Sequence, residues 1–411
     1  MLGSKCYLNL CLVCTYGTPV VDMLAHSPPL PLAIDYSDED RDITVEEDEI
    51  ILALKQRDRV HRIRLHMPVP ELQRLIMVIE EDYPVLEYLI MVSSTVDEST
   101  ALTLPETLQA PHLHHLLLFG FAIPIGSRLL TTTMGLVSLA FTVQQSAYFQ
   151  PSVLLQRLSV MPLLETLLID FLFPVSNHDV EGQAMHTPIT THVVLPNLRF
   201  FSFRGVSAYL EAVIRRITTP RIESLSIEFF KQLTFSVPHL FQFLSTTENL
   251  RFKTAKFEFS GDDVDVEVYP RRDADMYALS ICVRCSQLGL QVSSVAQIFN
   301  SLGQIFSTVE HLDFELGAHS WTSEEHNEVN RTEWHKLLRS FSKVKTLHVD
   351  DGLVEDLSRS LRVDNEEVPL DLLPELQSLT YSGSDHASNS FTSFIDARQN
   401  ADCPVTLMHR S

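Results

Sequence analysis

Two cysteine pairs carry the spacing C-x-x-C, Cys11 with Cys14 and Cys282 with Cys285, and four thiolates brought together would make a structural zinc site. Both pairs sit in apolar, strand-like sequence, Leu8 to Val13 and Leu279 to Val283. In an extended chain residues i and i+3 point to opposite faces, whereas zinc knuckles place their cysteines on turns. The expectation is therefore buried, unreactive thiols and no zinc. His114 and His115, and the group Glu324, Glu325 and His326 with His335 beyond it, lack the HExxH spacing of a zinc hydrolase. Asp262, Asp263, Asp265 and Glu267 lack the D-x-D-x-D-G order of a calcium loop and read as one solvated face. No GxxxxGK[ST], no GxGxxG after a strand and no GxSxG occurs, which leaves phosphate cradling and serine hydrolysis without a foothold. The sequence points to no enzyme, no catalytic residue, no cofactor and no metal ligand.

The elements that would position such residues come from a chain of 411 residues, 45% apolar and 20% charged, the balance of a folded protein. Its 53 acidic and 31 basic residues leave a formal charge of −22, which repels nucleic-acid phosphates and anionic membrane surfaces. No stretch approaches the roughly 20 apolar residues of a membrane span. The short apolar run after Lys5 is interrupted by Asn9, unlike a secretory signal. Six cysteines are too few for a disulfide scaffold, so a reducing compartment, cytoplasm or nucleus, is expected. The densest charge run, Asp38 to Glu49, reads as an exposed loop.

A segment with apolar residues at relative positions 1, 4 and 6 recurs along the chain. It begins at Val60, Leu86, Leu113, Leu136, Leu164, Leu198 and Ile222, is degenerate at Leu250, and returns at Val309, Val344 and Leu376. From Val60 to Leu250 successive starts differ by 26, 27, 23, 28, 34, 24 and 28 residues, the length of a strand-plus-helix repeat. Between these segments lie helical stripes such as Leu72, Leu75, Ile76, Ile79 and Val295, Ile298, Phe299, Leu302. Units of this kind cannot bury their apolar faces alone, so the spacing predicts an α/β fold in which neighbours stack into a parallel sheet backed by helices, an irregular leucine-rich-repeat-like solenoid. The segments beginning at Val60, Leu86, Leu113, Leu136, Leu164, Leu198 and Ile222 should be neighbouring parallel strands of one sheet, ordered in space as in sequence. The alternation from Lys256 to Val268 about a Gly-Asp turn predicts a β-hairpin insertion near 255–290. The expected organisation is a leading segment, 1–55, and a solenoid, 56–411.

Leu373-Pro-Glu-Leu-Gln-Ser-Leu-Thr-Tyr, then Phe391-Thr-Ser-Phe-Ile-Asp-Ala-Arg-Gln-Asn and Cys403-Pro-Val-Thr-Leu, resemble the final repeat of the F-box and leucine-rich-repeat-like proteins of mushroom-forming fungi, where a helix leads into a last strand. Val13 to Val20 and Pro29 to Tyr36 resemble the segment that follows the F-box in that group. The resemblance implies the substrate-recognition part of a cullin-RING ubiquitin ligase, with a protein substrate as partner. No F-box-like helix precedes Val13, so the ligase adaptor is expected to bind only if an F-box is restored there. The other readings are an F-box-less interaction scaffold or truncated remnant, and, less favoured, an enzyme with a site borne on loops.

Overall fold

The computed structural model describes residues 10–12, 20–26, 30–37, 47–79, 82–94, 102–122, 126–143, 150–172, 191–232, 234–247, 249–317, 331–362, 372–382 and 390–410. Two compact units divide the chain: Met1–Phe200 with Arg216–Arg221, and Phe201–Arg215 with Ile222–Ser411.

In the first unit the main sheet comprises β1 (Leu10–Leu12), β2 (Leu32–Ser37), β3 (Val60–Met67), β4 (Tyr88–Ser93), β6 (His115–Phe119), β8 (Ser138–Val143) and β9 (Thr166–Phe171), in that order and all parallel. Two short parallel pairs accompany it: β5 (Leu102–Thr103) with β7 (Phe121–Ala122), and β10 (Val193–Val194) with β12 (Ile217–Thr218). The repeat pattern explains the main sheet. Motif position 4 forms the ladder Ile63, Leu89, Leu116, Leu139, Leu167, and position 6 forms Leu65, Met91, Leu118, Phe141, Ile169, each in register across five strands. Every one of these side chains is buried. Burying each contributes about 1.5–3 kcal/mol, and the ladder locks register, since a slip of one residue would turn all of them to water. The helices Val69–Ile76 and Pro151–Leu158 lay their apolar stripes, Leu72, Leu75, Ile76 and Leu154, Leu155, Leu158, into the same core. Gly120 closes β6 with φ at +81°, a left-handed conformation that glycine adopts without penalty, and a side chain there would press on Cβ of Ser93.

The second unit's sheet runs β11 (Phe200–Gly205), β13 (Ser224–Phe229), β16 (Leu279–Arg284), β15 (Asp263–Tyr269), β14 (Thr254–Phe259), β17 (His311–Leu316), β18 (Thr346–Val349), β19 (Ser378–Ser382), β20 (Thr406–Arg410). Sequence order breaks here. The degenerate repeat at Leu250 leads into β14, which does not lie beside β13; β16 does. The reason is the turn after β14. Ser260 donates its N–H to the Asp263 carbonyl at 2.9 Å, closing a turn far too short for the crossover that a parallel neighbour needs. β15 therefore returns antiparallel between β14 and β16. The chain then needs a long crossover to reach β17, and the 19-residue helix Leu288–Phe306 supplies it. Its Phe299 packs 5.3 Å from Phe257, in a core that gathers Phe259, Phe306, Phe314, Phe341 and Trp334. Near the C-terminus the helix Thr392–Asn400 leads into β20.

Candidate functional site

Strand geometry sends alternate side chains to opposite faces, so the residues between the buried ladders form the other face of each sheet. In the first unit that face has three rows. One joins Arg62, Tyr88, His115, Ser138 and Thr166; the next joins Arg64, Ile90, Leu117, Ala140 and Leu168; the third joins His66, Val92, Phe119, Thr142 and Asp170. The middle row is apolar on four successive strands, and Leu117 keeps 36% of its surface exposed. Alongside it the rings of Tyr88 and His115 stack at 4.6 Å and 7°, with the Arg62 guanidinium 5.9 Å from the Tyr88 ring centre. Burial, then the neighbouring His114, holds the His115 imidazole below its ordinary pKa, so it is neutral at pH 7 and stacks as an uncharged ring. Asp35 lies 3.7 Å from Arg62 and 3.8 Å from Arg64, and Thr142 donates to Asp170 at 3.4 Å. The result is an apolar and aromatic centre with charged pairs at its margins.

The corresponding face of the second unit is polar. One row joins Glu228, Cys282, Asp265, Glu258 and Glu315 across five strands; another joins Ser226, Ser280, Glu267, Lys256, Asp313, His348 and Thr380. Glu228 pairs with Arg204 and Arg284, and Lys256 with Glu315 at 2.9 Å. Asp263, Asp265 and Cys282 bring one ligand atom each to within 4.8 Å of one another. Sequence spacing alone did not join them: the two acids belong to β15, and Cys282 comes from β16 through the antiparallel register that pairs it with Asp265. Burial and the adjacent Asp265 push the Cys282 thiol far above its ordinary pKa, and burial pushes the Asp265 carboxyl upward. Cys285 points elsewhere, buried, its thiol donating to the Val283 carbonyl at 3.8 Å and raised to about 11 by burial. Neither thiol is an activated nucleophile at pH 7.

Among the remaining candidates, Cys11 lies in β1 and Cys14 outside the described residues. Glu324, Glu325 and His326 also lie outside them, as does most of the run from Asp38 to Glu49. His114 precedes β6, and the following His115 takes its place on the sheet face. His335 is committed to structure, its Nε2 2.6 Å from the Ser360 carbonyl. Asp262 sits in the turn before β15, and Glu267 accepts from the Tyr269 hydroxyl at 2.5 Å. Among the described residues no helix is long and apolar enough to cross a membrane.

No protein-family profile and no curated protein matches the chain. Among solved structures, the chain is similar to a crystal structure of a TLR13–ssRNA13 complex, at TM-score 0.36 and 12% identity over 96% of this chain and 48% of that one. It is also similar to the leucine-rich repeat-containing protein LegL7 from Legionella pneumophila, at TM-score 0.29 and 14% identity over 94% of this chain and 97% of that one. The chain thus spans about half the length of the TLR13 chain it matches.

Proposed function

We propose that this chain is a protein-interaction module that docks a partner on the open sheet face of its first unit. The observation that carries the reading is the middle row Ile90, Leu117, Ala140, Leu168, flanked by Tyr88, Val92 and Phe119, on strands whose other side is already committed to the core. Apolar and aromatic residues at the centre with paired charges at the rim is the anatomy of a binding patch. A rigid parallel sheet holds them without any cost of ordering a loop.

A selection of random 12-residue peptides against the full chain tests this. Leu117→Asp with Leu168→Asp should abolish enrichment while leaving the thermal midpoint within a few degrees of the parent. Equal enrichment on the double variant would remove the sheet face as the docking surface.

The finer reading is that the docked partner is a substrate presented to a cullin-RING ubiquitin ligase. Its support is the resemblance carried by Leu373–Tyr381, Phe391–Asn400 and Cys403–Leu407. On that reading the chain supplies position and no reacting side chain. An F-box module fused ahead of Val13 should capture the ligase adaptor and lead to ubiquitylation of a peptide-tagged partner held on the sheet face. Capture of the adaptor without ubiquitylation, abolished by no sheet-face variant, would leave an interaction scaffold with no ligase role.

A further inference from the structure

At the edge where the first unit's strands begin, a shallow depression of about 740 Å³ is lined by Lys55, Arg57, Arg59 and Arg128 together with Asp58 and Asp82. Four cations against two carboxylates leave a formal +2, on a chain whose total is −22. Four separate sets of hydrogen bonds fix the depression's lining. Residues 55–59 form a tight turn, with Lys55 N–H donating to Ile51, Gln56 N–H to Ala53 and Arg59 N–H to Gln56. The Arg59 side chain is tied by its Nε to the Leu30 carbonyl at 3.1 Å. Tyr83 locks the wall beneath, its hydroxyl donating to the Leu54 carbonyl at 3.1 Å and its N–H to Gln109 at 2.9 Å. Arg128 is held by its own N–H to the Glu106 carbonyl at 3.1 Å. The side chains of Lys55 and Arg128 make no hydrogen bond or ion pair among the described residues.

We propose that this depression binds the phosphorylated side chain of a peptide segment in which a Lys or Arg lies close to the phosphate. The inference rests on the interaction-module reading and names the chemistry of the partner. Guanidinium and ammonium groups lining one depression suit a phosphate dianion, which accepts several charge-assisted hydrogen bonds at once. The lining excludes other phosphate carriers. It contains no aromatic ring on which a base could stack and no apolar wall for an acyl chain, so a nucleotide or a lipid would leave most of itself unrecognised. A continuous nucleic-acid backbone would carry further phosphates past Asp58 and Asp82. Those same carboxylates reward a basic residue beside the phosphate.

The test presents the full chain with an immobilised phosphoserine peptide library, random at three positions on either side, beside the same library without phosphate and a uridine 10-mer. The expected result is enrichment of phosphorylated peptides with Lys or Arg near the phosphate, reduced at least tenfold by Lys55→Gln with Arg128→Gln. Both side chains are exposed and outside the core, and circular dichroism should confirm the fold. Asp58→Asn with Asp82→Asn should erase the preference for the basic neighbour while phosphate dependence persists, which a diffuse cationic surface would not do. Enrichment indifferent to phosphate and to the Lys55/Arg128 change, yet lost in Leu117→Asp with Leu168→Asp, would overturn this inference and leave the sheet-face reading standing. Tighter binding of the uridine 10-mer through Lys55 and Arg128 would overturn it in favour of nucleic acid. No enrichment from either library would overturn both.

Discussion

Phe257→Ala should be among the most damaging single changes in the second unit, and its neighbour Lys256→Ala among the mildest. Phe257 is fully buried in the middle strand β14, with ring centres of Phe314, Phe299, Phe341 and Phe259 at 5.1, 5.3, 5.9 and 6.4 Å. Removing a buried Phe costs about 3–5 kcal/mol, the upper end applying where neighbours cannot collapse into the void. Four neighbouring rings, held on β14, on β17, within the helix Leu288–Phe306 and just after the helix Arg331–Leu338, have little room to do so, which places the loss near 4–5 kcal/mol. Lys256, one residue earlier, faces the other way and holds Glu315 at 2.9 Å and Glu258 at 3.5 Å with part of its surface in water. A pair of that kind contributes about 0–1 kcal/mol. The assay is urea unfolding followed by Trp334, which is buried 5.4 Å from Phe314 and 5.9 Å from Phe259, in a background where the chain's other tryptophan, Trp321, is Phe. With a urea slope of about 2 kcal/mol per molar, Phe257→Ala should lower the midpoint by about 2 M and Lys256→Ala by less than about 0.5 M. Comparable losses at the two positions, or a Phe257→Ala cost under about 1 kcal/mol, would mean that β14 presents its faces the other way round.

Other outcomes follow from single contacts. Gly120→Ala must hold an L side chain at φ +81° against Ser93 and should cost about 1–2 kcal/mol in the same denaturation assay. Glu211→Ala should cost about 1–3 kcal/mol, because its buried carboxylate accepts the N–H groups of His239 at 2.7 Å and Leu240 at 2.9 Å at the start of the helix Pro238–Thr246 and no other group replaces it. Hydrogen bonds from Lys253 and Lys345 hold the Glu310 carboxyl down at about 2 against an ordinary 4.5. A depressed folded-state pKa gives stability that is present above the ordinary value and lost as pH falls toward the folded one, so urea midpoints of the parent and Glu310→Gln should converge between pH 4.5 and 2 and part above that window. A gap that stays constant through it would refute the assignment.

The first unit's strands are legible in the sequence because one motif does two jobs. Positions 1, 4 and 6 are apolar for burial, and their recurrence at near-constant spacing also dictates which strands become neighbours. The second unit is less legible between Leu250 and Val309, for a reason local to a few residues. The turn Ser260-Gly261-Asp262 is visible in the sequence as a hairpin, but a hairpin only says that β14 and β15 are antiparallel. It does not say which of them meets β13. That choice falls to the helix Leu288–Phe306, whose buried face, Val295, Ile298, Phe299, Leu302 and Phe306, is long enough to carry the chain past β15 and β14. The same uncertainty hid the Asp263, Asp265 and Cys282 cluster, since Cys282 reaches the two acids only once β16 is placed beside β15.

The candidate binding face was within reach of the sequence, at a position the repeat motif ignores. Position 5 of each repeat lies between the two buried ladders and must face the other way. From Val60 onward it holds Arg64, Ile90, Leu117, Ala140, Leu168, and then Ser202 and Ser226; in the last three repeats it holds Asp313, His348 and Thr380. Burial in the core demands nothing of position 5, so a polar residue there is the default for a sheet with one solvated face. The later repeats follow that default. The repeats at Leu86, Leu113, Leu136 and Leu164 do not, and their strands read as continuous apolar runs, Leu89 to Val92 and Leu116 to Phe119, where alternation would have sufficed. Core burial explains little of the excess: Ile90, Ala140 and Leu168 are only half-buried and Leu117 stays more than a third exposed. A row of apolar side chains maintained on successive strands at the position where the fold is indifferent is the mark of a surface meant to be covered by something else. The motif alone does not make this row: Ile90, Leu117, Ala140 and Leu168 line up only when the strand register sets β4, β6, β8 and β9 side by side.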